Sequence, residues 1–431
     1  MLISAAALLS SLVPAFSQDG AESLYSPYSV FGIGDLYRQG NAYSNSMAGV
    51  GIAGRNSRFI NLLNPASVTA RDTLSVMFDM GLSSDNRVFR QNDIKSANNT
   101  LNINNFSMSF PIMGKTAMQI SLMPYSSVGY NYSYSVDNPA LIAQTGYVNY
   151  TASGNGSIYQ LSAAIGTRLF RRLSVGVEGI YYFGNIDKDC VMSTASSSHR
   201  SLNNGYTMQI NAFAGKVGLQ YEQPVGNMKM TVGATYRTAA RLKGYVTDYK
   251  YATISNMVDT LSYRVDTLSR GSSVRTASEI GIGISLRMPD KWMAEVNYTF
   301  SDWAGTSMDS TPGFANNGNA SFSTTYSQSL RAGFEYIPNR NDLRYYFRTC
   351  SYRGGIYYEK AYYKLDCNTV NSYGVTLGMT LPVFRWYNGL SIGLDLGQRG
   401  SRKAEMTKEN YFQISVGFNI HDLWFIKPRY E

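Results

Sequence analysis

Glycines 49, 51 and 54 in the stretch MAGVGIAGR have the spacing G-x-G-x-x-G, which in a βαβ unit cradles the pyrophosphate of a dinucleotide. That chemistry needs a buried strand before the loop, a long helix after it and an acidic residue about 20 positions on. Here the preceding LYRQGNAYSNS is polar, and RNSRFINLLNP soon meets Pro65, which biases Asn64 towards extended geometry. Asp72 stands at a passable distance, but no apolar strand carries it. The spacing therefore implies no cofactor, and the glycines serve something else. Two histidines, His199 in SSSHR and His421 beside Asp422, lack Ser/Asp partners at a readable spacing and read as solvated side chains. Asp187-Lys188-Asp189 could hold a divalent ion only weakly, and a solvated charge cluster is the simpler reading. Cys190, Cys350 and Cys367 form no C-x-x-C, so neither zinc nor a disulfide framework is suggested. Cys350 and Cys367 could be bridged across one loop, on the ground of an oxidising compartment alone. With no catalytic, cofactor or metal constellation, the chain reads as a non-enzyme.

The elements that must position these residues are legible in composition first. Of 431 residues, 34 are Tyr and 39 Gly, and only 16% are charged, against about 25% in soluble domains. Mean hydropathy is −0.21, and no window after the leader reaches the ~18 apolar residues of a membrane helix. A chain poor in charge, rich in Tyr and free of long apolar runs suits a transmembrane β-barrel, with every second residue facing lipid and aromatic girdles at both interfaces. Residues 1–17, MLISAAALLSSLVPAFS, read as a signal peptide with a small-x-small end at Ala15-Phe16-Ser17, which implies export. The +9 net charge implies attraction to anionic surfaces such as lipopolysaccharide phosphates. No basic run marks a nucleic-acid site.

Alternation is tested strand by strand. In residues 410–420 Phe412, Ile414, Val416, Phe418 and Ile420 share one face, and Gln413 and Ser415 the other. Ile280, Ile282 and Ile284 oppose Gly281, Gly283 and Ser285, and Ile120 and Leu122 oppose Gln119 and Ser121. About 14 strands follow from such patterns, near 72–80, 102–111, 116–130, 156–167, 173–183, 207–221, 228–238, 276–288, 292–302, 327–337, 343–351, 370–381, 389–397 and 410–420. Their connections alternate between short (111–115, 169–173, 223–227, 288–291, 338–342, 382–388) and long (131–155, 184–206, 239–275, 303–326). Long loops all at one end, an even strand count and closure are demands of an outer-membrane barrel. Segments 244–252 and 260–268 are expected to pair as an outer hairpin within the longest loop. The expected organisation is a signal peptide (1–17), an N-terminal plug in the lumen (18–71), an all-β antiparallel barrel (72–420) and a periplasmic tail (421–431).

The run GVGIAG…NLLNPASVTA (49–70), glycine- and alanine-rich and leading into Asn64-Pro65-Ala66 before the first strand, resembles the N-terminal hatch of the FadL family. Segments 159–186, 232–244 and 282–305, the last ending near Asp302-Trp303, resemble that family's hairpins, and the closing ENYFQISVGFNIHDLWFIKPRYE resembles a Bacteroidota branch of it. The resemblance implies a 14-stranded barrel plugged by a hatch, in which Gly49, Gly51, Gly54, Asn64, Pro65 and Ala66 pack against the wall. It implies uptake of hydrophobic small molecules, with sideways exit through a gap made by an inward kink of the third strand. In that strand, AMQISLMPYSSVGYNYS, Pro124 interrupts the ladder and Gly129 adds bending; a bulge at the rim explains Pro124 equally well.

Some members of that branch resemble accessory barrels of multiprotein outer-membrane assembly or secretion machines, so a second function stays open. Trp424, Phe425, Lys427 and Arg429 of the tail offer a periplasmic protein contact or an interfacial anchor. The 239–275 loop is long enough to form a docking surface. A transporter requires an apolar path from loops to gap; an accessory barrel tolerates a sealed lumen. Either sits in the outer membrane of a Gram-negative cell, in contact with lipid.

Overall fold

The computed structural model describes residues 24–71, 74–91, 94–136, 139–194, 200–254, 257–268, 274–315, 321–383, 388–402 and 406–423. The expected signal peptide, Asp72, His199 and the tail residues Trp424, Phe425, Lys427 and Arg429 lie outside them. After a two-residue strand β1 (Asp35–Leu36) come β2 (Ser75–Gln91), β3 (Ile94–Met113), β4 (Thr116–Ser135), β5 (Val148–Arg168), β6 (Leu173–Thr194), β7 (Ser201–Val225) and β8 (Met228–Arg237). Next are β9 (Lys243–Ile254), β10 (Met257–Thr267), β11 (Ser278–Met288), β12 (Trp292–Asp302), β13 (Phe322–Thr324) and β14 (Tyr326–Tyr336). The chain ends with β15 (Ser351–Leu365), β16 (Asn368–Pro382), β17 (Gly389–Arg399) and β18 (Lys408–Leu423).

Fourteen of these, β2–β8, β11, β12 and β14–β18, form one antiparallel ring. β18 closes it on β2 from Lys408↔Arg90 down to Leu423↔Ser75, so the ring begins and ends at the short-turn end. Closure leaves the ring no free edge, which a lipid environment requires. The alternation is visible in burial. Ile280, Ile282 and Ile284 are 52%, 54% and 57% exposed, whereas Ser285 between strand neighbours is 3% exposed. Apolar residues thus cover the outside and small or polar ones the inside, the arrangement of an outer-membrane barrel with its short turns towards the periplasm.

Three of the long connections, 131–155, 184–206 and 239–275, turn out to be largely strand. β6 runs 22 residues and β7 25, while about 9–11 suffice to cross the bilayer. The surplus rises as a wall outside the membrane, where Ile186, Met208 and Ile210 turn inward onto a buried apolar cluster. β9 and β10 pair as a hairpin, and β9 continues onto the upper part of β7.

Two expectations fail here. Residues 343–351 are not a strand: Asp342 accepts the Arg344 and Tyr345 amides at 2.9 Å each and starts a single helical turn at Tyr346–Thr349. The true strand is β15, whose Tyr-rich sequence hides its alternation. Consequently Cys350 and Cys367 stand at opposite ends of a 15-residue strand, roughly 50 Å apart at 3.3 Å per residue, and all three cysteines are free. A bridge needs Cα atoms within about 7 Å. The boundary at residue 420 also moves, because His421 to Leu423 still pair with Met77 to Ser75.

Candidate functional site

Residues 24–71 lie inside the ring. They start at the outer half of β4 and end near the short-turn end, where Pro65–Ala70 forms a 3-10 helix against β5, β6 and β7. Asn64 caps that helix by accepting the Ala66 amide at 3.0 Å, while its own amide donates to the carbonyls of Ile52 (2.7 Å) and Leu219 (3.2 Å). Pro65 supplies the first helical position, where its missing N–H costs nothing. Ala66 is fully buried.

The glycine loop meets a carboxyl group supplied by the wall. The Ala53 amide donates to Glu295 Oε1 at 2.9 Å, on β12. Gly54 leaves room for that carboxylate, Gly49 adopts φ +75°, and Gly51 faces Leu63 and Asn61 of its own segment. Close approach is provided mainly from the other side. A Cβ at wall positions Gly176 or Gly233 would collide with the backbone of Pro65 or Ile52. The glycines that sequence reading assigned to the segment's packing are thus outnumbered by inward-facing glycines of the strands, recognisable by their place in the alternation.

A charged latch, absent from the sequence expectations, ties the segment around β1 to β2, β15 and β17. Asp35 pairs with Arg399 (2.6 Å) and Arg87 (3.6 Å); Arg38 pairs with Asp395 (2.6 Å) and Glu359 (3.6 Å). Arg87 also meets Asp85 (2.8 Å) and Glu409 (3.4 Å), and the Ser26 hydroxyl donates to Glu409. Burial by itself would raise the Asp35 carboxyl, but the Arg399 and Arg87 guanidiniums hold it below its ordinary range. Above the latch, Tyr28, Val30, Phe31 and Ile33 join Trp303, Phe314 and Tyr363 in one apolar cluster that caps the lumen. Lys188 locks the cap, its amine donating to the carbonyls of Val30 (2.8 Å), Gly32 (3.1 Å) and Gly313 (2.9 Å). Asp189 takes the Tyr249 hydroxyl, and no group of carboxylates, Cys and His among the described residues is arranged for a metal.

β3 and β4 separate part-way up. Their pairing runs from Met113↔Thr116 to Phe106↔Leu122 and goes no further among the described residues. Above it the β4–β5 register shifts between Pro124 and Ser126, and β4 pairs instead with β1 (Asp35↔Ser127, Leu36↔Ser126). Ser26 donates its amide to Gly129 O (2.8 Å), and the Gly129 amide donates to Ser29 Oγ (3.0 Å). Gly129 thus seats the segment's first residues, since a Cβ would strike the Leu24 carbonyl. Gly129→Val is expected to cost about 1–3 kcal/mol by overpacking and to open Leu24–Phe31 to protease, where the parent chain resists; equal resistance in both would refute that seating.

Two cavities flank β1, of about 230 Å³ and 140 Å³. Arg237, Glu279, Lys216, Arg331 and Glu359 line the larger. Trp303, Tyr125, Arg237 and Gln160 line it too, and each holds a buried polar atom (Nε1, Oη, Nε and Oε1) without a hydrogen-bond partner. Such groups suit water or a polar guest, because an alkyl chain would leave them unsatisfied.

A family model described as BamG matches residues 1–431. No curated protein matches the sequence. Among solved structures, the Pseudomonas putida toluene transporter TodX is similar at 12% identity and TM-score 0.61, covering 91% of this chain and 100% of that one. The Ralstonia pickettii toluene transporter TbuX is similar at 12% identity and TM-score 0.57, covering 89% and 98%. A Pseudomonas aeruginosa FadL homologue is similar at 8% identity and TM-score 0.57, covering 90% and 99%. At these identities the likeness is one of fold.

Proposed function

Since the chain belongs to the BamG family, we propose that it works as a plugged, non-transporting accessory barrel within a multiprotein outer-membrane assembly. The carrying observation is the content of the lumen. The apolar residues that a hydrophobic ligand would need are packed against one another in the outer cap. The larger of the cavities beside β1 is lined by charge and by residues that hold unpartnered polar atoms. Residues 24–71 act in this reading as a fixed plug, held by the latch, the Glu295 contact and the Asn64 cap.

Uptake of hydrophobic molecules is the second reading. It is favoured by the separation of β3 from β4 at Pro124, which offers a sideways exit, and by the fold shared with toluene transporters. Mild-detergent capture of the tagged protein from its own membrane tests both, with protein partners and extracted lipids read by mass spectrometry. Stoichiometric larger partners without retained apolar molecules are expected. A lone barrel carrying fatty acids or aromatic hydrocarbons would overturn the accessory reading.

A further inference from the structure

Residues 337–350 form the longest connection at the short-turn end, and they are built where the other turns are minimal. Asp342 Oδ1 accepts two backbone amides at 2.9 Å, and its Oδ2 pairs with Arg348 at 3.4 Å. The Tyr345 and Arg344 amides hold the Asp342 carboxyl below its ordinary range. The Asn339 amide donates to Arg348 O (2.9 Å), and the Tyr346 hydroxyl to Pro382 O (2.8 Å) at the end of β16. This fixed frame presents Leu343 at 94% and Phe347 at 67% exposure. The guanidinium carbons of Arg344 and Arg348 lie 5.2 Å and 4.8 Å from the centre of the Tyr345 ring.

We propose that this turn is a phospholipid-headgroup clamp on the periplasmic leaflet, in which Leu343 and Phe347 enter the acyl boundary and Arg344 and Arg348 bind lipid phosphate. The location argues for lipid. The Tyr352 hydroxyl donates to Phe347 O at 2.9 Å, and Tyr352 opens the outward row of β15 that continues through Ile356 and Tyr358, both at least half exposed. Phe347 therefore adjoins the surface that already faces hydrocarbon. Planar guanidiniums match phosphate oxygens in pairs, and an aromatic–aliphatic pair beside them suits the interface. Tyr345 holds the two arginines near one point, and Asp342 leaves Arg344 without a carboxylate of its own among the described ion pairs.

The test places a reporter at the most exposed residue, where folding is not at stake. Leu343→Trp is reconstituted in vesicles of brominated phosphatidylglycerol, and its fluorescence is compared with that of the parent chain. The added tryptophan is expected to be quenched at least about twofold by the bromolipid and little by aqueous iodide. Adding Arg344→Gln and Arg348→Gln should weaken the bromolipid quenching and raise that by iodide, and have no such effect in maltoside micelles, which carry no phosphate. Quenching by iodide in the vesicles, or bromolipid quenching indifferent to both arginines, would overturn the clamp. The first of these results would leave the turn free in the periplasm as a protein-docking surface.

Discussion

A barrel lacking Gln18–Asn64 is expected to conduct ions at least about tenfold better than the full chain in a planar bilayer, since the lumen of a large barrel is water-filled unless plugged. The ring is closed by its own strand pairs, so removal leaves it intact. What it loses is the filling. Asp35 and Arg38 no longer bridge the lumen, Tyr28, Phe31 and Ile33 leave the outer cap, and Val50 and Met47 leave the wall at Gly333 and Gly355. The strands then present their small, polar inward residues to an aqueous passage, with Gly233, Gly333 and Gly355 as recesses. Heat-modifiable gel mobility establishes that the shortened barrel folds. A folded barrel with unchanged conductance would show that the passage is closed by something other than this segment.

The fold was readable because lipid imposes a strict rule on half of each strand. Ile280, Ile282 and Ile284 had to face outward, and their partners Gly281, Gly283 and Ser285 inward. Where that rule lapses, so does legibility. β15 was misplaced because Tyr352, Tyr357, Tyr358 and Tyr363 fall on both faces, and because Arg353 and Glu359 point into the lumen to meet partners far away in sequence. The latch was hidden for the same reason. Asp35 and Arg399 are 364 positions apart, and neither resembles a motif. Asp395 did show an inward position in LSIGLDLG, and a charge on a lumen face is the signal that could have found its partner Arg38. The G-x-G-x-x-G spacing, read from the sequence as serving no cofactor, places the Ala53 amide against the Glu295 carboxyl of the wall.

Arg399→Met is expected to be the most damaging single substitution in the latch, loosening residues 24–36 by about 3–5 kcal/mol, the scale for breaking a buried ion pair from one side. The charges explain why. Asp35, Asp85 and Glu409 face Arg87 and Arg399 within one buried cluster. Without Arg399, three carboxylates share Arg87, and Asp35 is left with a partner at 3.6 Å in place of one at 2.6 Å. The same guanidinium donates to the Tyr363 hydroxyl at 2.6 Å and lies 4.9 Å from the Tyr28 ring centre, so its loss also undermines the outer cap. Adding Asp35→Asn removes the stranded charge and returns the cluster to its original imbalance of one negative charge. The double variant should therefore recover much of the loss, a coupling of the size that contacting residues show. In planar bilayers the single variant is expected to flicker open and the double variant to stay closed. If both behave alike, the latch acts through shape, and charge pairing does not hold the plug.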